Sequence, residues 1–248
     1  MASLKRITCI AMVALLSGLT AAYAQQAALS DEQVKERLGF ITNALDAGQP
    51  RARTWWYGWI AAYSAGAVAG GILAGTHWSD QKLQGAEMVP DRAFAEGMLV
   101  AGATCALGVV GLVMDPFSPA TAARKLRPLP ESTSSERLAK LKRAEELLQE
   151  CARREKSGRS PTTHMLNLGV NAAAGIVTKA ALHQSWGSAL ITFMSGEAVS
   201  LLNIFTQPMR ATRDLKKYEA GYPAAAAAPR ASWSLSVWPG GLGFRLQF

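Results

Sequence analysis

The chain has 248 residues, 49% of them hydrophobic and 18% charged, with 26 Lys and Arg against 18 Asp and Glu. That balance excludes a disordered polyelectrolyte and leaves enough apolar material for a sizeable core in one or two domains. Three cysteines exclude a disulfide-stapled miniprotein.

Residues 1–24 have the layout of a secretory signal. "MASLKR" is a short basic start, "ITCIAMVALLSGLT" an apolar stretch, and "AYA" before Gln25 a small-x-small cleavage site. An uncleaved membrane anchor is the alternative. No cysteine stands where a lipoprotein signal needs one. Cleavage leaves Cys105 and Cys151, which fall in an apolar run and a charged run, so they read as separate thiols.

Residues 25–54 hold an amphipathic helix. Ser30 and Gln33 make a capping-box pattern, Val34, Leu38, Ile41 and Leu45 share a face, and Gly48 and Pro50 are expected to close it. Residues 55–115 read as an apolar helical hairpin, from the uncharged runs 55–75 and 97–114 joined by a polar loop at 76–93. Residues 116–163 form a basic linker and a second amphipathic helix, capped by Thr133 and Glu136, with Leu138, Leu141, Leu148 and Cys151 on one stripe. A second apolar hairpin covers 164–208, from runs at 164–182 and 186–206. Residues 209–232 read as a Pro/Ala linker, and 233–248 as a β-hairpin in which apolar residues alternate on either side of Pro239-Gly240-Gly241.

The order amphipathic helix, apolar hairpin, amphipathic helix, apolar hairpin suggests a duplicated unit. "RART" and "GRSPT" precede the two hairpins, and both hairpin loops carry a His and a Trp, in "THW" and "HQSW". Runs of this length are long enough to cross a bilayer. Trp55, Trp56, Trp59, Trp78 and Trp186 stand at run ends, as membrane-interface anchors do. Gly58, Ala62, Gly66, Gly70 and Ala74 recur every four residues, and Gly196 follows Thr192 at the same spacing in the fourth run; these are candidate helix-packing positions. In water such glycines cost up to about 1 kcal/mol each relative to Ala, which favours lipid around these helices over a soluble bundle.

Four spans would put both termini and the central segment on one side. That side holds Lys and Arg at 4 positions in 25–54, 11 in 116–163 and 6 in 207–248, whereas the loop at 76–93 holds 2. The positive-inside rule makes it cytoplasmic, and a cleaved signal makes it external. Either the signal is misread, or these Gly/Ala-rich hairpins pass the translocon and insert elsewhere, in a Gram-negative cell at the outer membrane or against the periplasm.

Inside the second hairpin, Asn167, Asn171, Gly175 and Lys179 recur every four residues, and Glu197 interrupts the facing run at the depth of Asn171. The expectation is an Asn171–Glu197 hydrogen bond, serving as interhelical glue or as part of an ion path with Lys179. The three histidines show no metal-ligand spacing. The chain has no GxSxG elbow, no GxxxxGK[ST] loop and no GxGxxG after a strand, so no catalytic residue, cofactor or metal site is assigned and an enzyme is not expected. The stretches "ARKLRP" and "CARREKSGR" read first as a solvated helix face; as a binding surface they suit anionic head groups better than nucleic acid in an exported chain.

The terminal strand, with Leu242, Phe244, Leu246 and Phe248, resembles the C-terminal signal of outer-membrane barrel proteins. No series of alternating strands that could close a barrel accompanies it. "GW" at 58–59, "NLGVN" at 167–171, "TQP" at 206–208 and "GGL" at 240–242, together with the paired hairpins, resemble exported helical membrane proteins of Gram-negative bacteria. Those proteins have no assigned activity, so the resemblance implies a class and a compartment and no chemistry.

The expectation is therefore an all-α membrane-type fold: two Gly/Ala-rich helical hairpins packed as a four-helix bundle, flanking amphipathic helices and a small C-terminal β-hairpin. The expected role is structural or interactive, in a cell-envelope membrane. The partners would be membrane lipid and a second copy or another envelope protein, not nucleic acid. A small transporter or channel component using Glu197 and Lys179, and a soluble periplasmic bundle, are the alternatives.

Overall fold

The computed structural model describes residues 29–223 and the backbone of 232–238 and 241–247. The expected signal segment and residues 224–231 of the expected Pro/Ala linker lie outside these residues. The fold is helical with two small antiparallel hairpins.

Helix α1 runs Asp31–Thr76. Its start is capped reciprocally: Gln33 N donates to Ser30 Oγ at 3.2 Å and Ser30 N to Gln33 Oε1 at 3.0 Å. The expected stop at Gly48 and Pro50 does not occur, and the helix passes through Pro50 and across the 54/55 boundary without interruption. An interior proline costs about 3 kcal/mol, through a lost hydrogen bond and a clash with the preceding turn. Contacts on both flanks hold the helix through that defect. Leu45 is buried before it, Ala52 and Trp55 after it, and Gln49 Nε2 donates to the Ala120 carbonyl at 3.3 Å. Tertiary packing here overrides a local stop signal.

The polar loop expected at 76–93 contains a hairpin, β1 (Gln81–Gln84) and β2 (Glu87–Pro90), turned at Gly85 with φ 66. Helix α2, Ala93–Met114, then returns along α1. Their crossing is close because two glycines meet: a Cβ placed on Gly70 would lie 2.7 Å from Gly102 Cα and 2.7 Å from the Met98 carbonyl oxygen. Gly66 packs on Cys105. Gly58 and Ala62, expected on the same face, are exposed, and nothing lies within 4 Å of a Cβ built on Gly58. Successive steps of four residues advance about 400° on a helix of 3.6 residues per turn, so a four-residue ladder drifts about 40° per step. Over four steps it leaves the partner helix altogether.

After α2, a 3₁₀ turn (Ser118–Ala120) and α3 (Ala122–Leu126) lead to α4, Ser134–Gly158, again opened by a capping box, from Thr133 and Glu136. Helix α5, Pro161–Ile176, passes into a π turn at Val177–Ala181; α6 is Trp186–Thr206 and α7 Arg210–Gly221. Helix α7 occupies part of the segment expected to be linker. Its buried Ala211, Asp214 and Tyr218, with Leu215 and Tyr222 partly buried, follow helical spacing. Strands β3 (Ser232–Trp238) and β4 (Gly241–Gln247) pair antiparallel, Trp233 opposite Leu246 and Leu235 opposite Phe244.

The burial is lopsided. The first half of α1, with α3, α4 and α7, forms a head with a closed core of Val34, Leu38, Ile41, Leu126, Leu141, Leu147, Leu148 and Tyr218. Arg137 fastens its edge through a two-pronged bond to Asp31, Nε to Oδ1 and Nη2 to Oδ2 at 2.8 Å each. The second half of α1, α2, α5 and α6 carry their large apolar side chains outward, among them Ile72, Leu107, Val110, Leu190, Ile191, Leu202 and Phe205. Three helical stretches, within Asp31–Thr76, Ala93–Met114 and Trp186–Gly221, are long and apolar enough to cross a membrane. Helix α5 has 16 residues, about 24 Å of helix, short of the roughly 30 Å hydrocarbon core.

Candidate functional site

Helices α5 and α6 form the second apolar pair. Each begins at a serine cap: Ser160 Oγ accepts from Thr163 N at 3.3 Å and Ser185 Oγ from Ser188 N at 3.0 Å. The helices approach where they carry small residues. A Cβ on Gly175 would meet the Ala189 carbonyl at 3.1 Å, and one on Gly196 would sit 2.8 Å from Asn171 Cγ.

That space at Gly196 admits Asn171, which is 5% exposed. Its Nδ2 donates to Glu197 Oε1 at 2.7 Å and to Ser200 Oγ at 3.1 Å, so both amide hydrogens are used and both acceptors lie on α6. Glu197 is half-buried. About two turns nearer the α5–α6 connection, the buried Thr178 hydroxyl donates to the Ala174 carbonyl at 3.0 Å and approaches Thr192 Oγ1 at 3.4 Å. This polar seam ties two apolar helices at a fixed register.

Lys179 is not part of it. The π turn widens the helix there, and Lys179 Nζ donates to the Gln184 carbonyl at 3.1 Å while lying 5.6 Å from the centre of the Trp186 ring. The other connection is built alike, with Arg92 5.3 Å from the Trp78 ring. Gln184 joins the two connections, Nε2 donating to the Ala93 carbonyl and to Glu96 Oε2 at 3.0 Å each. His183 takes a left-handed φ of 54 to make the turn.

The tryptophans at the head end hold the helix pairs together. Trp55 is buried, and its Nε1 donates to the Asn203 carbonyl at 3.3 Å and to Thr206 Oγ1 at 3.2 Å; Trp59 Nε1 reaches the same hydroxyl at 3.1 Å. Trp56 Nε1 donates to the Leu112 carbonyl of α2 at 3.1 Å. Trp78 and Trp186 are exposed.

Sequence reasoning passed over one constellation. Glu155 of α4 is 1% exposed, and its carboxylate accepts from Ala211 N at 3.0 Å and Thr212 N at 2.7 Å, capping α7 from another helix. Arg159, one turn on, donates to the carbonyls of Phe205 and Gln207, at 2.8 and 2.7 Å, at the C-terminal end of α6. Burial pushes the Glu155 carboxyl above its usual range, while the two backbone N–H groups pull it down. No local pattern marks Glu155 as a cap, because the amides it serves lie more than fifty residues away.

Cys105 and Cys151 are free thiols on different helices, Cys151 within the head core. Among the described residues no group of three His, Cys, Asp or Glu gathers as metal ligands. Comparison with known protein families, curated proteins and solved structures finds no match to this chain.

Proposed function

We propose that this chain is an exported cell-envelope membrane protein with a structural or interaction role. Helices α2, α5, α6 and the second half of α1 would stand in lipid as a four-helix bundle, with the basic head at one surface. The observation that carries the reading is the division of burial. The head encloses its own core, whereas the other helices present Ile72, Leu107, Val110, Ile191 and Phe205 outward with nothing covering them. In water so large a continuous apolar surface would drive association; in hydrocarbon it needs no partner. The small residues at the α1–α2 and α5–α6 crossings support the same reading, since packing in lipid depends on close backbone approach. The terminal β-hairpin, joined through the Pro/Ala stretch, would dock on its own helical domain, or pair with an envelope partner or a second copy through its open edges. The basic head would rest on anionic head groups.

Carbonate extraction of cell membranes tests the placement, and sequencing the mature N-terminus tests export. Recovery of the protein in the alkaline supernatant refutes membrane insertion, and a retained Met1 refutes signal cleavage.

The Asn171–Glu197 bond supports a second reading, a small transporter or channel component. Glu197→Gln separates the two. Gln still accepts from Asn171 Nδ2 but carries no charge, so glue survives the change and an ion path does not. Unchanged assembly with ion flux lost in reconstituted vesicles would favour the path.

A further inference from the structure

Beside the polar seam, on the outward side of α5 and α6, runs a groove of about 300 Å³. Its floor and walls are apolar, from Gly175, Ile176, Ala189 and Phe193, and Lys179 and Trp186 line its end nearest the α5–α6 connection. The close crossing of the two helices makes its floor, where a Cβ on Gly175 would meet the Ala189 carbonyl at 3.1 Å, and the π turn at Val177–Ala181 carries Lys179 to its end. A volume of this size is at the lower end for small-molecule sites, which span about 300–1,000 Å³.

The charge at its end is unusual. Lys179 is the one Lys or Arg between Arg159 and Arg210. Its half-buried ammonium has three donors, of which the Gln184 carbonyl takes one, and among the described residues no carboxylate pairs with it. A cation held over an indole at the end of an apolar channel suits one amphiphile: an acyl chain in the groove with an anionic phosphate at the ammonium. We infer that the α5–α6 groove binds a single anionic phospholipid, its chain along Gly175, Ile176 and Phe193 and its phosphate on Lys179.

This inference rests on the membrane placement proposed above, and its test separates the two. The full chain is reconstituted into vesicles in which either phosphatidylglycerol or phosphatidylcholine carries brominated acyl chains, and tryptophan quenching is titrated. The Trp186 contribution is taken as the difference from Trp186→Phe. Brominated phosphatidylglycerol should quench Trp186 at about fivefold lower mole fraction than brominated phosphatidylcholine, the value of one lysine at an anionic surface. Lys179→Gln should bring the two lipids together, and Ala180→Phe, a change at an exposed groove position, should weaken quenching by both. Circular dichroism confirms that each variant keeps its helix content. Equal quenching by both lipids, unaltered in Lys179→Gln, overturns the groove site and leaves the membrane placement standing. Trp186 shielded from both lipids while other tryptophans are quenched assigns the groove to a second copy and also overturns it. If no tryptophan is quenched by either lipid, the membrane placement itself fails.

Discussion

Replacing Gly70 by Ala adds one methyl at the α1–α2 crossing, and the structure indicates what it meets. The new Cβ would sit 2.7 Å from Gly102 Cα and 2.7 Å from the Met98 carbonyl oxygen, both backbone atoms, where ordinary contact begins at 3.4 Å. The helices must therefore part by about 0.7 Å or shift along each other, and neither backbone can give way as a flexible side chain would. Forced overpacking of this kind costs about 1–3 kcal/mol. Against it stands the helix-propensity gain of Gly to Ala, about 1 kcal/mol in water. The balance is a net loss of about 0–2 kcal/mol. Gly58→Ala makes the matched control: it earns the same propensity and meets nothing within 4 Å, so it should be neutral or stabilising. Thermal unfolding of the two variants in one detergent, followed by circular dichroism, should place Gly70→Ala below the parent and Gly58→Ala at or above it. If both shift equally in the same direction, the drifting-ladder argument is wrong.

Glu155→Ala leaves the amides of Ala211 and Thr212 buried without acceptors and should cost about 2–4 kcal/mol in chemical denaturation. Glu155→Gln, which turns an NH₂ toward one of the amides, should cost about 1–3 kcal/mol. Because burial raises the Glu155 carboxyl above its ordinary 4.5, its contribution is full below that value and declines as pH rises through the folded value. Glu155→Gln should accordingly flatten the stability profile above pH 4.5. The Arg137 guanidinium, with Lys35, holds Asp31 below its ordinary 3.8. The stability that pair provides is present above 3.8 and lost as pH falls through the lower folded value. The difference between the parent and Arg137→Ala should then stay constant above about pH 5 and shrink as pH falls below 3.8; a difference that grew on acidification would contradict the pairing. Burial pushes the Cys151 thiol up to about 12, so a thiol reagent at about pH 8 should modify Cys151 only after denaturant is added. Labelling of the native chain at that residue would show the head core to be open.

What could be read in the sequence was local. Ser30 with Gln33 and Thr133 with Glu136 mark helix starts because each cap is completed within four residues. The apolar runs announced α2 and α6 through composition alone. The stop at Pro50 misled because its cost is borne by contacts with Ala120 and Phe117, some seventy residues away in the chain. The start of α7 was invisible for the same reason: Met209 offers no side-chain cap, and Glu155 supplies one from α4. The seam residues Asn171 and Glu197 could be named from their spacing. The displacement of Lys179 could not, since nothing in "GIVTKAALHQ" signals a π turn. The short strands β1 and β2 were hidden in a polar loop whose paired Leu83 and Met88 both remain exposed.

Helix α1 belongs to two bodies at once, with Leu38 and Ile41 in the head and Gly70 and Ala74 at the far crossing. Its 46 residues make a rod of about 69 Å. Membrane helices change tilt when bilayer thickness changes, and a rod of that length amplifies the change. A rotation of about 10° at the Thr76 end would carry the Ser30 end sideways by about 12 Å, roughly one helix diameter. With the second half of α1 in lipid, as proposed above, a change in bilayer thickness would therefore appear at the head as lateral displacement.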